Sequence, residues 1–149
     1  MPTHAEERDL PYTAEQLYGL VADVAAYPKF LPWCVASRVT KTTAEYIEAD
    51  LVIGYKMVRE KFSSRVTLTP YKQIHVEYLS GPMKYLSNYW RFEPLPDGQG
   101  CRIDFYVDFE FKNSFLQKTI NIFFHEAVKR MVNAFETRAD ALYGGGVKQ

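Results

Sequence analysis

The sequence predicts an α+β fold in which a curved antiparallel sheet of about six to seven strands surrounds one long C-terminal helix. The central part of the chain alternates apolar and polar residues in short runs between turn residues, which is typical of antiparallel strands with one buried face. Residues 114–142 instead carry apolar residues at helical spacing. With 149 residues and no linker or internal repeat, the chain is predicted to form a single domain.

A first strand and two short helices are predicted at the N-terminus. The polar run at residues 3–10 fits an edge strand. Thr13 and Gln16 form a capping-box pattern, and apolar residues follow at helical spacing, so a helix is predicted to begin there. The X-Pro pairs at 27–28 and 31–32 then predict a second short helix or helical turn that ends in a rigid corner.

From Trp33 the apolar period changes to two. Strands are predicted within 35–53, with a turn at 41–43, and then at 58–68, 73–79, 86–92 and 101–112, with a hairpin signal at 96–100. The alternating apolar positions of the first two strands are Val35, Val39, Ile47, Ala49, Leu51 and Ile53. In the last strand, Ile103, Phe105, Val107, Phe109 and Phe111 share one face, and charged residues occupy most of the other. This strand is therefore predicted to be half buried.

The last element is predicted to be a long amphipathic helix. Ser114 and Gln117 form a second capping-box pattern at its start, and three glycines from Gly144 end it. One stripe carries Ile120, Phe124, Ala127, Val128, Met131, Phe135 and Leu142. Because only this helix is long enough to cover the apolar face of the sheet, we expect the helix-grip arrangement, which can leave a gap between sheet and helix.

Composition and motifs argue against several function classes. Lys plus Arg and Asp plus Glu both number 18, so the formal net charge is zero, which disfavours avid binding to DNA. Cys34 and Cys101 form neither a CxxC motif nor a disulfide framework. His125-Glu126 begins an HExxH pattern, but Lys129 occupies the second histidine position, so no metal site is predicted. The sequence also contains no glycine-rich phosphate loop and no GxSxG motif.

The sequence also predicts where the protein resides. Its longest apolar runs are a few residues, far below the ~20 needed to cross a bilayer as a helix. The polar, acidic N-terminal run does not resemble a secretory signal or a mitochondrial transit peptide. A cytoplasmic location is therefore expected, with peripheral contact on the inner face of the membrane as a further expectation.

Aromatic residues make up 15% of the chain, and they leave two interpretations open. Phe105, Phe109, Phe124, Met131 and Phe135 are expected to face one another between sheet and helix, either as a solid core or as the wall of a cavity. The segments 54–59 and 81–85 mix apolar and cationic residues, unlike ordinary hairpin tips. They either fold back on the core or contact a bilayer surface.

Several motifs together resemble a known family. They are Val21-Ala22-Asp23-Val24, Tyr27-Pro28-Lys29-Phe30-Leu31-Pro32-Trp33-Cys34, Phe62-Ser63-Ser64-Arg65-Val66-Thr67-Leu68, Gly81-Pro82, Trp90-Arg91-Phe92-Glu93-Pro94-Leu95 and the run from Ala127 to Phe135. In order and spacing they resemble the coenzyme-Q-binding branch of the START-like (polyketide-cyclase-like) superfamily. Bacterial members of this branch are often labelled ribosome-association toxins. The resemblance extends from about Leu10 to Gly144.

The resemblance implies a helix-grip (START-like, Bet v 1-like) domain over residues 1–149, of which 144–149 are expected to form a flexible tail. It implies a non-enzymatic protein that binds ubiquinone (coenzyme Q) or a related isoprenoid lipid and supports respiratory electron transfer or quinone biosynthesis. The alternative is a ribosome-association toxin that binds the large ribosomal subunit and blocks subunit joining. Its basic surface would comprise Lys118, Lys129, Arg130 and Arg138. A polyketide cyclase-like enzyme is a third hypothesis, for which the sequence indicates no catalytic residue.

The lipid hypothesis assigns two sets of residues. The predicted cavity wall is Phe30, Leu31, Trp33, Leu51, Ile53, Phe62, Tyr78, Trp90, Phe105, Phe109, Phe124, Val128, Met131 and Phe135. The predicted entrance and membrane contact is Tyr55, Lys56, Met57, Arg59, Met83 and Lys84. Apart from the bound lipid, no cofactor is expected.

Overall fold

A computed structural model describes residues 3–55, 58–96, 98 and 100–144 of the chain. The side chains of Tyr55 and Val58 lie outside this description. The described elements are, in chain order, strand β1 (Thr3–Leu10), helix α1 (Ala14–Ala22), a 3-10 helix (Val24–Lys29), β2 (Cys34–Thr42), β3 (Tyr46–Tyr55), β4 (Val58–Thr69), β5 (Gln73–Ser80), β6 (Met83–Pro94), β7 (Cys101–Phe111), α2 (Ser114–Ala139) and a π-helical turn (Asp140–Gly144).

The seven strands form one antiparallel sheet in the order β1-β7-β6-β5-β4-β3-β2. Strands that follow one another from β2 to β7 are therefore neighbours, and β1 pairs with β7 at one edge. Register shifts interrupt the β2–β3, β4–β5 and β6–β7 pairs. Such bulges bend strands and increase their twist. The result is the curved sheet that the sequence predicts.

Helix α2 lies along the concave face of this sheet, and the main core forms between them. On β7, Ile103, Phe105, Val107 and Phe111 are buried, as the alternation of that strand predicts. The buried residues of α2 are Phe124, Val128, Val132, Phe135 and Ala139. Helix α1 and the 3-10 helix pack on the same face and contribute further apolar side chains to the core. The predicted helix-grip arrangement is thus present.

The start of α1 agrees with the sequence prediction, but the start of α2 does not. Thr13 and Gln16 form both hydrogen bonds of a capping box at α1. At α2 the capping residue is Asn113, not the predicted Ser114, and its side-chain oxygen accepts from the backbone N–H groups of Phe115 and Leu116. Gln117 is engaged elsewhere, because its Oε1 accepts from the backbone N–H of Phe111 at 2.7 Å. This bond ties the first turn of α2 to the end of β7.

The far end of α2 is anchored to the N-terminal segment. Arg8 on β1 donates to Glu136 at 2.9 Å. The Tyr12 hydroxyl donates to the Asp140 carboxylate, and this bond together with burial raises the pKa of Tyr12 to about 12. The C-terminal half of α2 is therefore fastened by polar contacts as well as by packing.

Three predicted apolar positions lie on the surface. Val35 and Val39 are 41% and 37% exposed, because β2 is an edge strand whose two register shifts interrupt the alternation of its faces. Leu142 is 50% exposed, because the last turn is π-helical and rotates its side chain off the buried stripe of α2. Of the predicted tail at 144–149, only Gly144 lies within the described residues.

None of the helices in the described ranges combines the length and apolar character needed to cross a membrane. The same residues bring together no group of three or more His, Cys, Asp or Glu side chains that could hold a metal ion.

Gly81, in the turn between β5 and β6, is expected to be intolerant of a side chain. Its φ is +143°, and a Cβ there would lie 2.7 Å from Cβ of Phe62. We expect Gly81→Ala to lower the free energy of unfolding by about 2–3 kcal/mol, through backbone strain and overpacking. Chemical denaturation would measure this change.

Gly19, on the exposed side of α1, provides the matched control, because a Cβ there would meet no atom within 4 Å. Gly19→Ala should raise the free energy of unfolding by about 0.5–1 kcal/mol. Equal stability changes in the two variants would contradict the close contact at Gly81.

Candidate functional site

Two apolar chambers lie between the concave face of the sheet and α2. The outer chamber, with a volume of about 230 Å³, lies beside the middle of α2, between Ile120 and Met131. The inner chamber, about 170 Å³, lies deeper in the sheet beside the 3-10 helix. Six side chains border both chambers and form the partition between them: Trp33, Ile53, Phe62, Leu86, Val107 and Met131.

The wall of the outer chamber is made of aliphatic and aromatic side chains from β3, β4, β6, β7 and α2. Besides the partition residues, it comprises Gly54, Met83, Phe109, Phe111, Ile120, Phe123, Phe124, Ala127 and Val128. Strand alternation explains the contribution of β7, since Val107, Phe109 and Phe111 are spaced by two and share the concave face. Apolar groups that line a concave space in this way can bury a hydrocarbon chain.

Trp33 connects the two sides of the cavity. It stands between the 3-10 helix and β2, and its Nε1 donates to the backbone oxygen of Ala127 on α2 at 2.8 Å. The indole N–H thereby has a partner while the ring borders both chambers. This arrangement is typical of a partly buried tryptophan whose polar edge has a hydrogen-bond partner. It holds the rigid corner before β2 against the middle of α2.

A cluster of aromatic rings closes the inner chamber. The ring centroid of Phe135 lies 4.8 Å from that of Trp90, 5.2 Å from that of Phe30 and 5.5 Å from that of Tyr27. The Tyr27 hydroxyl donates to the backbone oxygen of Val21, and burial raises the pKa of this phenol. These edge-to-face contacts make this end of the cavity rigid.

The inner chamber also contains polar side chains that the sequence analysis missed. Ser64 on β4 and Asn88 on β6 both border it. The Asn88 Nδ2 donates to the backbone oxygen of Tyr106 at 2.8 Å. A signal for these residues exists in the sequence, since Ser64 lies between Phe62 and Val66 at a period of two. Asn88 likewise lies between Leu86 and Trp90, so both residues interrupt an apolar row.

The described chamber walls contain no carboxylate, imidazole, ammonium or guanidinium group. The ionisable groups that border the inner chamber are the Cys34 thiol and the Tyr27 phenol. Burial raises the pKa of both, so both are held in the neutral form. The arrangement is suited to binding an apolar molecule, and it offers no charged acid–base pair.

Most of the predicted wall residues come together at this cavity. The residues that border at least one chamber are Leu31, Trp33, Leu51, Ile53, Phe62, Trp90, Phe109, Phe124, Val128, Met131 and Phe135. Three others do not border it. Phe30 packs behind Phe135, Phe105 packs against Trp90 at 4.6 Å between centroids, and the Tyr78 hydroxyl accepts from the backbone N–H of Met83.

The predicted entrance is only partly described. Met83 is 3% exposed and belongs to the wall of the outer chamber. Lys84, on the opposite face of β6, pairs with Glu110 at 2.9 Å, and Arg59 is exposed on β4. Lys56, Met57 and the side chain of Tyr55 lie outside the described residues.

Comparison with known proteins agrees with the fold. The model of the polyketide cyclase / dehydrase and lipid transport family matches residues 10–136. A protein of Escherichia coli (strain K12) named ribosome association toxin RatA is 37% identical over 143 residues, which cover 96% of this chain and 90% of that protein. The mitochondrial coenzyme Q-binding protein COQ10 homolog B of Xenopus laevis is 36% identical over 144 residues, which cover 95% of this chain and 59% of that protein.

Solved structures share the fold at low sequence identity. The Zhui aromatase/cyclase from Streptomyces sp. R1128 superposes with a TM-score of 0.82 and 15% identity, covering 97% of this chain and 98% of that one. A STAR-related lipid transfer protein from Xanthomonas axonopodis gives a TM-score of 0.74 and 16% identity, covering 92% and 85%. The chain therefore belongs to the polyketide cyclase / dehydrase and lipid transport family and has its START-like helix-grip fold.

Proposed function

We propose that this protein binds ubiquinone or a related isoprenoid lipid in the two chambers, without transforming it, in support of respiratory electron transfer or quinone biosynthesis. The observation that carries the proposal is the pair of adjoining apolar chambers, about 230 and 170 Å³, between sheet and helix. The name of the COQ10 homolog, a coenzyme Q-binding protein, supports the choice of lipid.

The energetics of burial agree with this proposal. Burying one CH₂ group contributes about 0.8 kcal/mol, so two five-carbon isoprene units contribute about 8 kcal/mol before ordering costs. Micromolar affinity requires about 8.2 kcal/mol net. The remainder, and the cost of association, must come from the ring and from further contacts of the tail with the wall. Because the chambers are small, a long tail would extend outside them.

The absence of charged groups from the described chamber walls supports binding without catalysis. Cyclisation of a polyketide requires proton transfer to and from carbon and oxygen, which enzymes usually assign to histidine or carboxylate groups. The likeness to the Zhui aromatase/cyclase concerns the fold alone at 15% identity. The described walls contain no histidine or carboxylate group that could carry out this transfer.

Association with the ribosome is the second candidate function. It is favoured by the 37% identity to proteins named ribosome association toxin RatA. The basic residues expected to serve it are on the surface of α2, where Lys118, Lys129 and Arg130 are exposed. Arg130 pairs with Glu126 at 2.9 Å, and Arg138 lies over the ring of Phe30. The basic surface on α2 is therefore partly neutralised.

We expect the protein to carry its natural lipid ligand when it is isolated. Protein purified from its own host and extracted with organic solvent should yield ubiquinone or a related isoprenoid lipid at close to one molecule per chain, measured by mass spectrometry. An extract without isoprenoid lipid, from protein that also fails to bind added ubiquinone, would contradict the proposal.

Met131 borders both chambers, so its size should control lipid binding. Met131→Trp should lower the lipid content to about a tenth of that of the natural chain or less, because the indole occupies space that the lipid requires. Met131→Leu, which nearly conserves volume, is the control and should retain the lipid. Unchanged lipid content in folded Met131→Trp protein would remove Met131 from the binding site.

Sedimentation with ribosomal subunits tests whether the protein associates with the ribosome. If it is correct, the protein sediments with large ribosomal subunits at low salt, and the association weakens steeply as salt rises. Lys118→Glu combined with Lys129→Glu should then abolish sedimentation while leaving lipid content unchanged. Failure to sediment at low salt would exclude this function.

A further inference from the structure

Ser64 is a buried hydroxyl without a protein partner. It lies in the middle of β4, in an inward-facing row with Phe62 and Val66, and it is 1% exposed. Its Oγ has no hydrogen-bond partner among the described residues. Leaving a buried hydroxyl unpaired is costly, so such groups in native proteins generally have a partner.

The other polar groups around the inner chamber are already engaged. The Tyr27 hydroxyl donates to the Val21 oxygen, and the Trp33 Nε1 donates to the Ala127 oxygen. Asn88 has its amide orientation fixed by the bond from Nδ2 to Tyr106. Among the described side chains that border this chamber, Ser64 is the one with a buried polar atom that lacks a hydrogen-bond partner.

Building on the proposed function, we propose that Ser64 anchors the head group of the lipid. Its hydroxyl donates a hydrogen bond to a carbonyl or ether oxygen on the ring, so the ligand enters ring first. The isoprenoid tail then lies in the outer chamber. The ligand class is an isoprenoid lipid with an oxygen-bearing ring, in preference to a plain hydrocarbon.

The contrast between the chambers supports this orientation. In the outer chamber, the side chains of the described wall are hydrocarbon or thioether groups apart from Trp33, whose N–H is engaged. A ligand oxygen placed there would lose its hydration without gaining a hydrogen-bond partner. The isoprenoid tail makes no hydrogen bonds with water and loses none there. The inner chamber offers the Ser64 hydroxyl beside aromatic rings, which suit the flat face of a ring.

The test compares two ligands on the full chain. Ubiquinone with a tail of two isoprene units carries the ring oxygens, and farnesene, an isoprenoid hydrocarbon, carries none. Isothermal titration calorimetry gives the affinity of each for the natural chain and for Ser64→Ala. The matched control is Ser63→Ala, since Ser63 is the preceding residue on β4 and its Oγ donates outside the chambers to Asp50 at 2.5 Å.

We expect Ser64→Ala to weaken ubiquinone binding about three- to tenfold, the value of one hydrogen bond between uncharged groups. Farnesene binding should be unchanged, and Ser63→Ala should bind both ligands as the natural chain does. The melting temperature of Ser64→Ala should not fall, because the substitution removes an unpaired buried hydroxyl.

Three results would overturn the anchor in different ways. Unchanged ubiquinone affinity in Ser64→Ala would show that the hydroxyl does not contact the ligand. Equal weakening for both ligands would show that the substitution acts through cavity shape. Both of these results leave the proposed function intact, whereas a natural chain that binds neither ligand would contradict the proposed function and the anchor together.

Discussion

A single helix is too narrow to cover the concave face of a seven-stranded sheet. Strands are spaced by about 4.8 Å, so seven of them span about 29 Å, whereas a helix with its side chains is about 10–12 Å wide. Helix α2, with 26 residues, is long enough for the sheet but leaves space on either side. Helix α1, the 3-10 helix and several aromatic side chains pack in the same core and fill part of that space.

The space beside α2 is filled unevenly along the helix, and the less filled part determines where the cavity lies. Near its C-terminal half, α1, the 3-10 helix and the rings of Trp90, Phe105 and Phe135 pack closely. Along the middle of the helix, from Ile120 to Met131, the outer chamber remains between sheet and helix. Trp33 marks the boundary, because its bond to Ala127 fixes the distance between the corner before β2 and the middle of α2.

Local patterns in the sequence predict the helices and strands, but they do not predict how deeply each residue lies in the core. The alternation of apolar residues correctly predicts β7. It does not distinguish Phe105 from Phe109, which share one face of the strand about 13 Å apart. Phe105 lies in the closed core, whereas Phe109 borders the cavity. Asn113 and Ser114 are both good helix caps, so spacing alone selected the wrong one. Val35 and Val39 are exposed although their spacing predicts a buried face, because bulges in the edge strand β2 change which side chains face the core. The predicted wall omits Ser64 because it comprises large aliphatic and aromatic side chains and methionine.

The two chambers also give the folded chain a larger volume than its atoms require. Unfolding eliminates internal voids, so the volume of a protein with cavities decreases when it unfolds, and hydrostatic pressure favours that change. A lipid bound as proposed in the chambers of about 230 and 170 Å³ would remove much of this difference. If the proposed lipid binds, the chain without it should therefore unfold at a lower pressure than the chain with it.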